Sequence, residues 1–70
     1  MESVRNKLKK ELEELDEELN HKLPKEIQKA REFGDLRENA EYKAALERQS
    51  IVQARIMQIR QRLSEMDSID

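Results

Sequence analysis

The chain has 70 residues, 43% of them charged and 36% hydrophobic, with one Gly, one Pro, one Tyr, one Phe and no Cys or Trp. That is the balance of long solvated helices, and it excludes a compact globular core, a disulfide scaffold and a Cys-based zinc site. Fourteen basic and sixteen acidic residues leave a net charge of −2, so no global field draws the chain onto nucleic acid, and any such contact has to be local.

From the N-terminus, Val4, Leu8, Leu12, Leu15, Leu19, Leu23, Ile27 and Ala30 recur at steps of three and four, which draws one apolar stripe on a helix. The first helix is expected over about 3–32. Pro24 lies inside it; lacking an N–H and crowding the carbonyl of Asn20, it predicts a kink or bulge between 20 and 24. His21 has no Cys or His at ligand spacing and is expected on the surface.

The tip follows at about 33–37, where Gly34 is the only glycine and supplies the turn a helix end needs. Asp35 and Glu38 stand three residues apart. By spacing alone they fit a capping box, with a pair of metal-binding carboxylates as the alternative. Phe33 and Leu36 are expected to staple the helix start or to meet a partner's wall. Arg31, Arg37 and Lys43 flank the acidic pair, with Lys25, Lys29 and Arg48 further down the arms.

The second helix is expected over about 38–67. Ala45, Gln49, Val52, Ile56, Ile59, Leu63 and Met66 keep a heptad seam with one polar member, Gln49, expected to set register. Two helices joined by a short turn run antiparallel. Pairing Leu8 with Leu63, Leu12 with Ile59, Leu15 with Ile56 and Leu19 with Val52 keeps the sum of the two residue numbers constant. Leu23 with Gln49, Ile27 with Ala45 and Ala30 with Tyr42 raise that sum by one, so the first helix carries an extra residue near 23, beside Pro24. The fold class is therefore all-α, an antiparallel two-helix coiled-coil hairpin with an acidic tip at the turn. At ~1.5 Å per residue, roughly thirty residues per arm make a rod about 45 Å long. No apolar run approaches the ~20 residues that span a bilayer and no signal-peptide stretch is present, so a cytoplasmic address without membrane partners is expected. Exposed Ile51 and Met57 leave open self-association of the isolated hairpin into a four-helix arrangement.

The run Ala30-Arg31-Glu32-Phe33-Gly34-Asp35-Leu36-Arg37-Glu38-Asn39-Ala40-Glu41-Tyr42, with Lys7-Leu8-Lys9-Lys10-Glu11-Leu12, Pro24 and the Ile69-Asp70 ending, resembles the N-terminal coiled coil of bacterial transcript cleavage factors of the GreA family. The resemblance covers the whole chain. It implies a hairpin that enters the secondary channel of bacterial RNA polymerase and promotes cleavage of backtracked nascent RNA at its 3′ end, the polymerase performing the chemistry. Asp35 and Glu38 then become the carboxylates that help hold a catalytic Mg²⁺ jointly with the polymerase, with no metal bound stably by the isolated chain. Arg31, at the family's basic patch, together with Arg37, Asn39 and Glu41, is expected to face RNA or polymerase. The resemblance also implies a C-terminal globular domain beyond this chain; an arm without that anchor should act at high concentration and weakly at low. A structural coiled coil and a channel occluder that promotes no cleavage remain the alternative readings.

Overall fold

The computed structural model describes residues 3–32 and 39–67. One arm comprises α1 (Val4–Glu17), a π-helical turn (Glu18–Lys22) and α2 (Leu23–Arg31), and the other is the single helix α3 (Ala40–Asp67). Ser3 starts the first arm as an N-cap, its hydroxyl accepting from the Asn6 N–H at 3.1 Å, the role short polar side chains fill where helical N–H groups lack partners. Backbone angles stay in the right-handed helical region at Glu17, Glu18, Lys22 and Leu23, so the first arm is helical throughout and only its winding changes. The arms are antiparallel: Arg5 pairs with Asp67, Glu11 with Arg55 and Glu18 with Arg48, the partner's number falling as the first rises. The molecule is an all-α hairpin measuring 54 × 18 × 16 Å.

The seam holds the arms together. Leu23, Val52 and Ile56 form its buried cluster, against which Leu12, Leu15 and Leu19 pack. Ala30, Ala45 and Ile59 are buried toward either end, and among the described residues no polar or charged residue is buried. Leu8, Leu12 and Leu15 of α1 and Leu19 of the π turn are only half-buried, as are Ile27, Gln49, Leu63 and Met66, because a seam between two helices is open along both flanks. Val4, first on the apolar stripe, is exposed at the end of the rod.

The extra residue of the first arm sits in the π turn. There the Leu23 N–H reaches back five residues to the Glu18 carbonyl, one more than in an α-helix. Pro24 follows at the start of α2. In α-winding its ring would press on the Asn20 carbonyl; a wider turn relieves that contact and takes up one residue without breaking the helix. Leu23, the first residue past the turn, is returned to the seam at 0% exposure. The bulge expected beside Pro24 is thus a π turn that begins two residues earlier, at Glu18.

Ile51 and Met57 are exposed, at 59% and 71%. Their separation of six residues places them about 120° apart around α3, on different flanks.

Two outcomes follow for stability. Leu23→Ala should cost about 2–5 kcal/mol of unfolding free energy and Met57→Ala within about 0.5 kcal/mol, measured by denaturant titration of the helical circular dichroism signal. Equal losses would contradict the assigned core. Deleting Asn20, which removes the extra residue, should preserve helicity and cooperative unfolding. Deleting the equally exposed Glu13 rotates the leucines before it off the seam and should cost at least about 2 kcal/mol; a reversed order would sink the register assignment.

Candidate functional site

Asp35, Arg37 and Glu38 lie outside the described residues, together with Phe33, Gly34 and Leu36. The structure describes the two ends from which that segment hangs, Glu32 and Asn39, and it brings Arg31, Asn39, Glu41 and Tyr42 to the same end of the rod.

Asn39 organises this end. Its backbone carbonyl accepts from the Lys43 N–H at 3.2 Å, the first bond of α3, and its side-chain Oδ1 accepts from the Tyr42 N–H at 3.0 Å. Asn39 is therefore the N-cap of α3, with Tyr42 at the position a capping side chain normally reaches. The same amide donates from Nδ2 to the Ala30 carbonyl at 2.5 Å, one of the last carbonyls of α2, toward which the Glu32 N–H is also directed. One side chain thus serves the ends of both arms. Expected from the sequence to face RNA or polymerase, Asn39 has both functional groups of its amide engaged inside the hairpin. The second long helix begins at Ala40 rather than near 38, so its cap lies four residues past Asp35.

Arg31 and Tyr42 add a second link across the arms. The Arg31 guanidinium lies over the Tyr42 ring, 5.8 Å from its centroid, a cation–π contact worth roughly 0.5–1 kcal/mol at an exposed site. Tyr42 is half-buried on the seam opposite Ala30, while Arg31 is exposed, so the ring steadies a cation that remains open to solvent.

Glu41 is exposed in the first turn of α3, where a carboxylate is favoured by the helix dipole. It lines a groove of about 480 Å³ with Glu26, Lys29, Ala30, Ala44, Ala45 and Arg48. Lys25 and Lys43 are exposed as well. His21 is exposed, 3.7 Å from Glu17 one turn earlier. Among the described residues no group of three or more His, Cys, Asp or Glu is placed to hold a metal ion.

Below the tip, two ion pairs one heptad apart clamp the same flank. Arg48 donates to both oxygens of Glu18 at 2.6 and 2.9 Å, and Arg55 to both oxygens of Glu11 at 2.7 and 3.0 Å. The guanidinium hydrogen bond is the main cause that holds each glutamate below the usual carboxylate range, partly offset by desolvation. Both arginines are correspondingly pushed up. Exposed pairs of this kind contribute little energy each, but the paired fork geometry specifies alignment. Glu18 opens the π turn, so the upper clamp fixes the point at which the stagger changes. The recurrence of Glu and Arg at one-heptad intervals on opposite arms was available in the sequence as the signal for these clamps.

Residues 2–67 match the family model described as the transcription elongation factor N-terminal domain. The chain is 48% identical over 64 residues to transcription elongation factor GreA of Thermotoga petrophila, covering 91% of this chain and 41% of that protein. Against GreA of Thioalkalivibrio sulfidiphilus it is 48% identical over 65 residues, 93% of this chain and 41% of the relative. Against GreA of Desulfotalea psychrophila it is 48% identical over 64 residues, 91% and 40%. No solved structure matches the chain at a meaningful level of similarity. The fold and the tip residues define a helical hairpin arm. The chain belongs to the GreA/GreB N-terminal family of transcription elongation factors, and it spans about two fifths of the length of the curated relatives it matches. No helix among the described residues is long and apolar enough to cross a membrane.

The clamps carry a pH dependence of definite sign. A carboxylate whose pKa is held low in the folded state contributes stability that is fully present above its unfolded value, about 4.3, and is lost as pH falls through the lower folded value. The thermal midpoint should therefore drop below about pH 4.3, and more shallowly in the Arg48→Gln, Arg55→Gln double variant than in wild type. Parallel acid limbs would show that the clamps do not form in solution.

Proposed function

We propose that this chain is the arm of a transcript cleavage factor. It enters the secondary channel of bacterial RNA polymerase and brings Asp35 and Glu38 to the active centre, where backtracked RNA is hydrolysed. The observation that carries this reading is membership of the elongation-factor family in a chain that keeps both acidic positions of the Gly34–Tyr42 run. The rod's dimensions of 54 × 18 × 16 Å support it, since a narrow rod carries its tip deep into an opening while its base stays outside.

The donor chemistry fits a hard divalent cation. Mg²⁺ takes oxygen ligands, usually one or two protein carboxylates with water and phosphate oxygens completing an octahedron. Asp35 and Glu38 supply that number and leave the remaining positions to polymerase and RNA. Mg²⁺ held there would favour hydroxide over water as nucleophile and balance charge on the leaving oxygen. The reaction itself adds water across a phosphodiester: the water oxygen bonds to phosphorus, the 3′ oxygen departs and takes a proton. Polymerase performs this step. On this reading Arg31, held over Tyr42 yet open to solvent, and Arg37 steady the RNA backbone through its phosphates, contacts that position without reading sequence.

The test is shortening of 5′-labelled RNA in a stalled, backtracked polymerase complex with Mg²⁺ present. Wild-type chain should accelerate cleavage in a concentration-dependent way, and Asp35→Asn and Glu38→Gln should each reduce the stimulated rate by about tenfold or more with helicity unchanged. Binding with no acceleration at any concentration would establish an occluder instead, and absence of binding would return the chain to a structural coiled coil.

A further inference from the structure

We propose that one outer flank of α3 is a docking stripe for an uncharged protein surface, the wall of the polymerase channel that encloses the arm. The stripe consists of Leu46, Ser50, Gln53, Met57, Gln61 and Ser64. The identity of the partner rests on the reading of the chain as an arm that enters polymerase.

The stripe is drawn by spacing and by the absence of charge. Its members follow one another at steps of three and four, and all six are exposed. At about 100° per residue they fall within an arc of about 80°, and none is charged in a chain of which 43% is. The charged residues of the same stretch, Glu47, Arg48, Arg55, Arg60 and Arg62, lie outside that arc. Arg48 and Arg55 are drawn to the clamped flank, where Ile51 sits beside them. Arg60 borders the stripe and pairs with Asp16 of the first arm at 3.6 Å. The first arm is built differently: the exposed positions of α1 from Lys7 to Glu17 are Lys7, Lys9, Lys10, Glu13, Glu14 and Glu17, every one charged. That arm faces water along its length, whereas α3 keeps one flank ready for burial.

Chemistry and size specify the partner. Phosphates call for Lys or Arg, and the stripe holds neither, so nucleic acid is not its ligand. Leu46 and Met57, 38% and 71% exposed, stand about 16 Å apart along the helix, and a methionine adapts to an irregular apolar surface. Ser50, Gln53, Gln61 and Ser64 can hydrogen-bond to a partner and carry no charge that burial would penalise. An uncharged protein face with two apolar recesses and polar groups between them is the complement. The footprint is about 27 Å long and about 10 Å wide, roughly 270 Å². A stable pair of proteins needs about 800 Å² on each partner, so the stripe is too small to hold a free dimer, and it suits a rod that one partner touches on several sides at once.

The test measures binding of the chain, fluorescently labelled at its N-terminus, to bacterial RNA polymerase by anisotropy, beside sedimentation and thermal unfolding of the free chain. Two double variants place charge of either sign in the stripe: Gln53→Glu with Met57→Glu, and Gln53→Lys with Met57→Lys. Both should raise the dissociation constant about tenfold or more, with helicity and thermal midpoint kept because both positions are exposed. A long-range field would move the two variants in opposite directions, whereas a buried unpaired charge weakens binding whichever its sign. Glu13→Gln with Glu14→Gln, on the first arm, should stay within about twofold of wild type.

Wild-type affinity in both stripe variants overturns the proposal. So does movement of the two in opposite directions, or a wild-type chain that sediments as a dimer and is split by the stripe variants, since a second copy then covers the stripe. A wild-type chain that does not bind polymerase overturns the reading of the arm itself and the named partner with it. That failure is distinct from the others, in which the wild type binds.

Discussion

Everything in this molecule depends on one apolar seam shared by two helices. Among the described residues no third layer packs on the pair, so the stagger of the arms is set where Leu12, Leu15, Leu19 and Leu23 meet Val52 and Ile56. Such a seam is thin. Most of the leucines of α1 stay half-buried, and polar devices on the flanks supply the alignment that a deep core would otherwise impose. The bidentate pairs Glu11–Arg55 and Glu18–Arg48 are those devices: weak individually, but satisfied only at one relative position of the arms. The π turn then absorbs the one residue by which the arms differ and returns Leu23 to the seam. The two halves of the rod therefore use different staggers while sharing one buried line.

At the tip the problem changes from alignment to closure. The last carbonyls of one helix and the first N–H groups of the next both need partners, and the crossing side chain of Asn39 serves both. Arg31 over Tyr42 makes a second crossing at the same level.

The hairpin was legible because the physics of antiparallel pairing leaves an arithmetic trace: partners on a common seam keep a constant sum, and a proline at the break points to where an extra residue is stored. The form of that storage was less legible, since a π turn and a kink both follow from a crowded carbonyl, and hydrogen-bond register decides between them. α3 begins at Ala40, where Asn39 makes the cap and has a second bond that no local pattern encodes. A contact between residues 30 and 39 is set by how the arms meet in space. The chemical role of Asp35 and Glu38 was read from residue types and family likeness, with spacing alone favouring the cap.

The central claim, that the tip reaches the reacting RNA while the base does not, is tested most directly by photo-crosslinking. A photoreactive side chain is placed at Leu36 in one sample and at Ser64 in another, each added to a backtracked polymerase complex whose RNA is labelled near its 3′ end. Leu36 should crosslink to the extruded RNA and Ser64 should not. Crosslinks from Ser64 equal to those from Leu36, or none to RNA from Leu36 while the chain is bound, would contradict it.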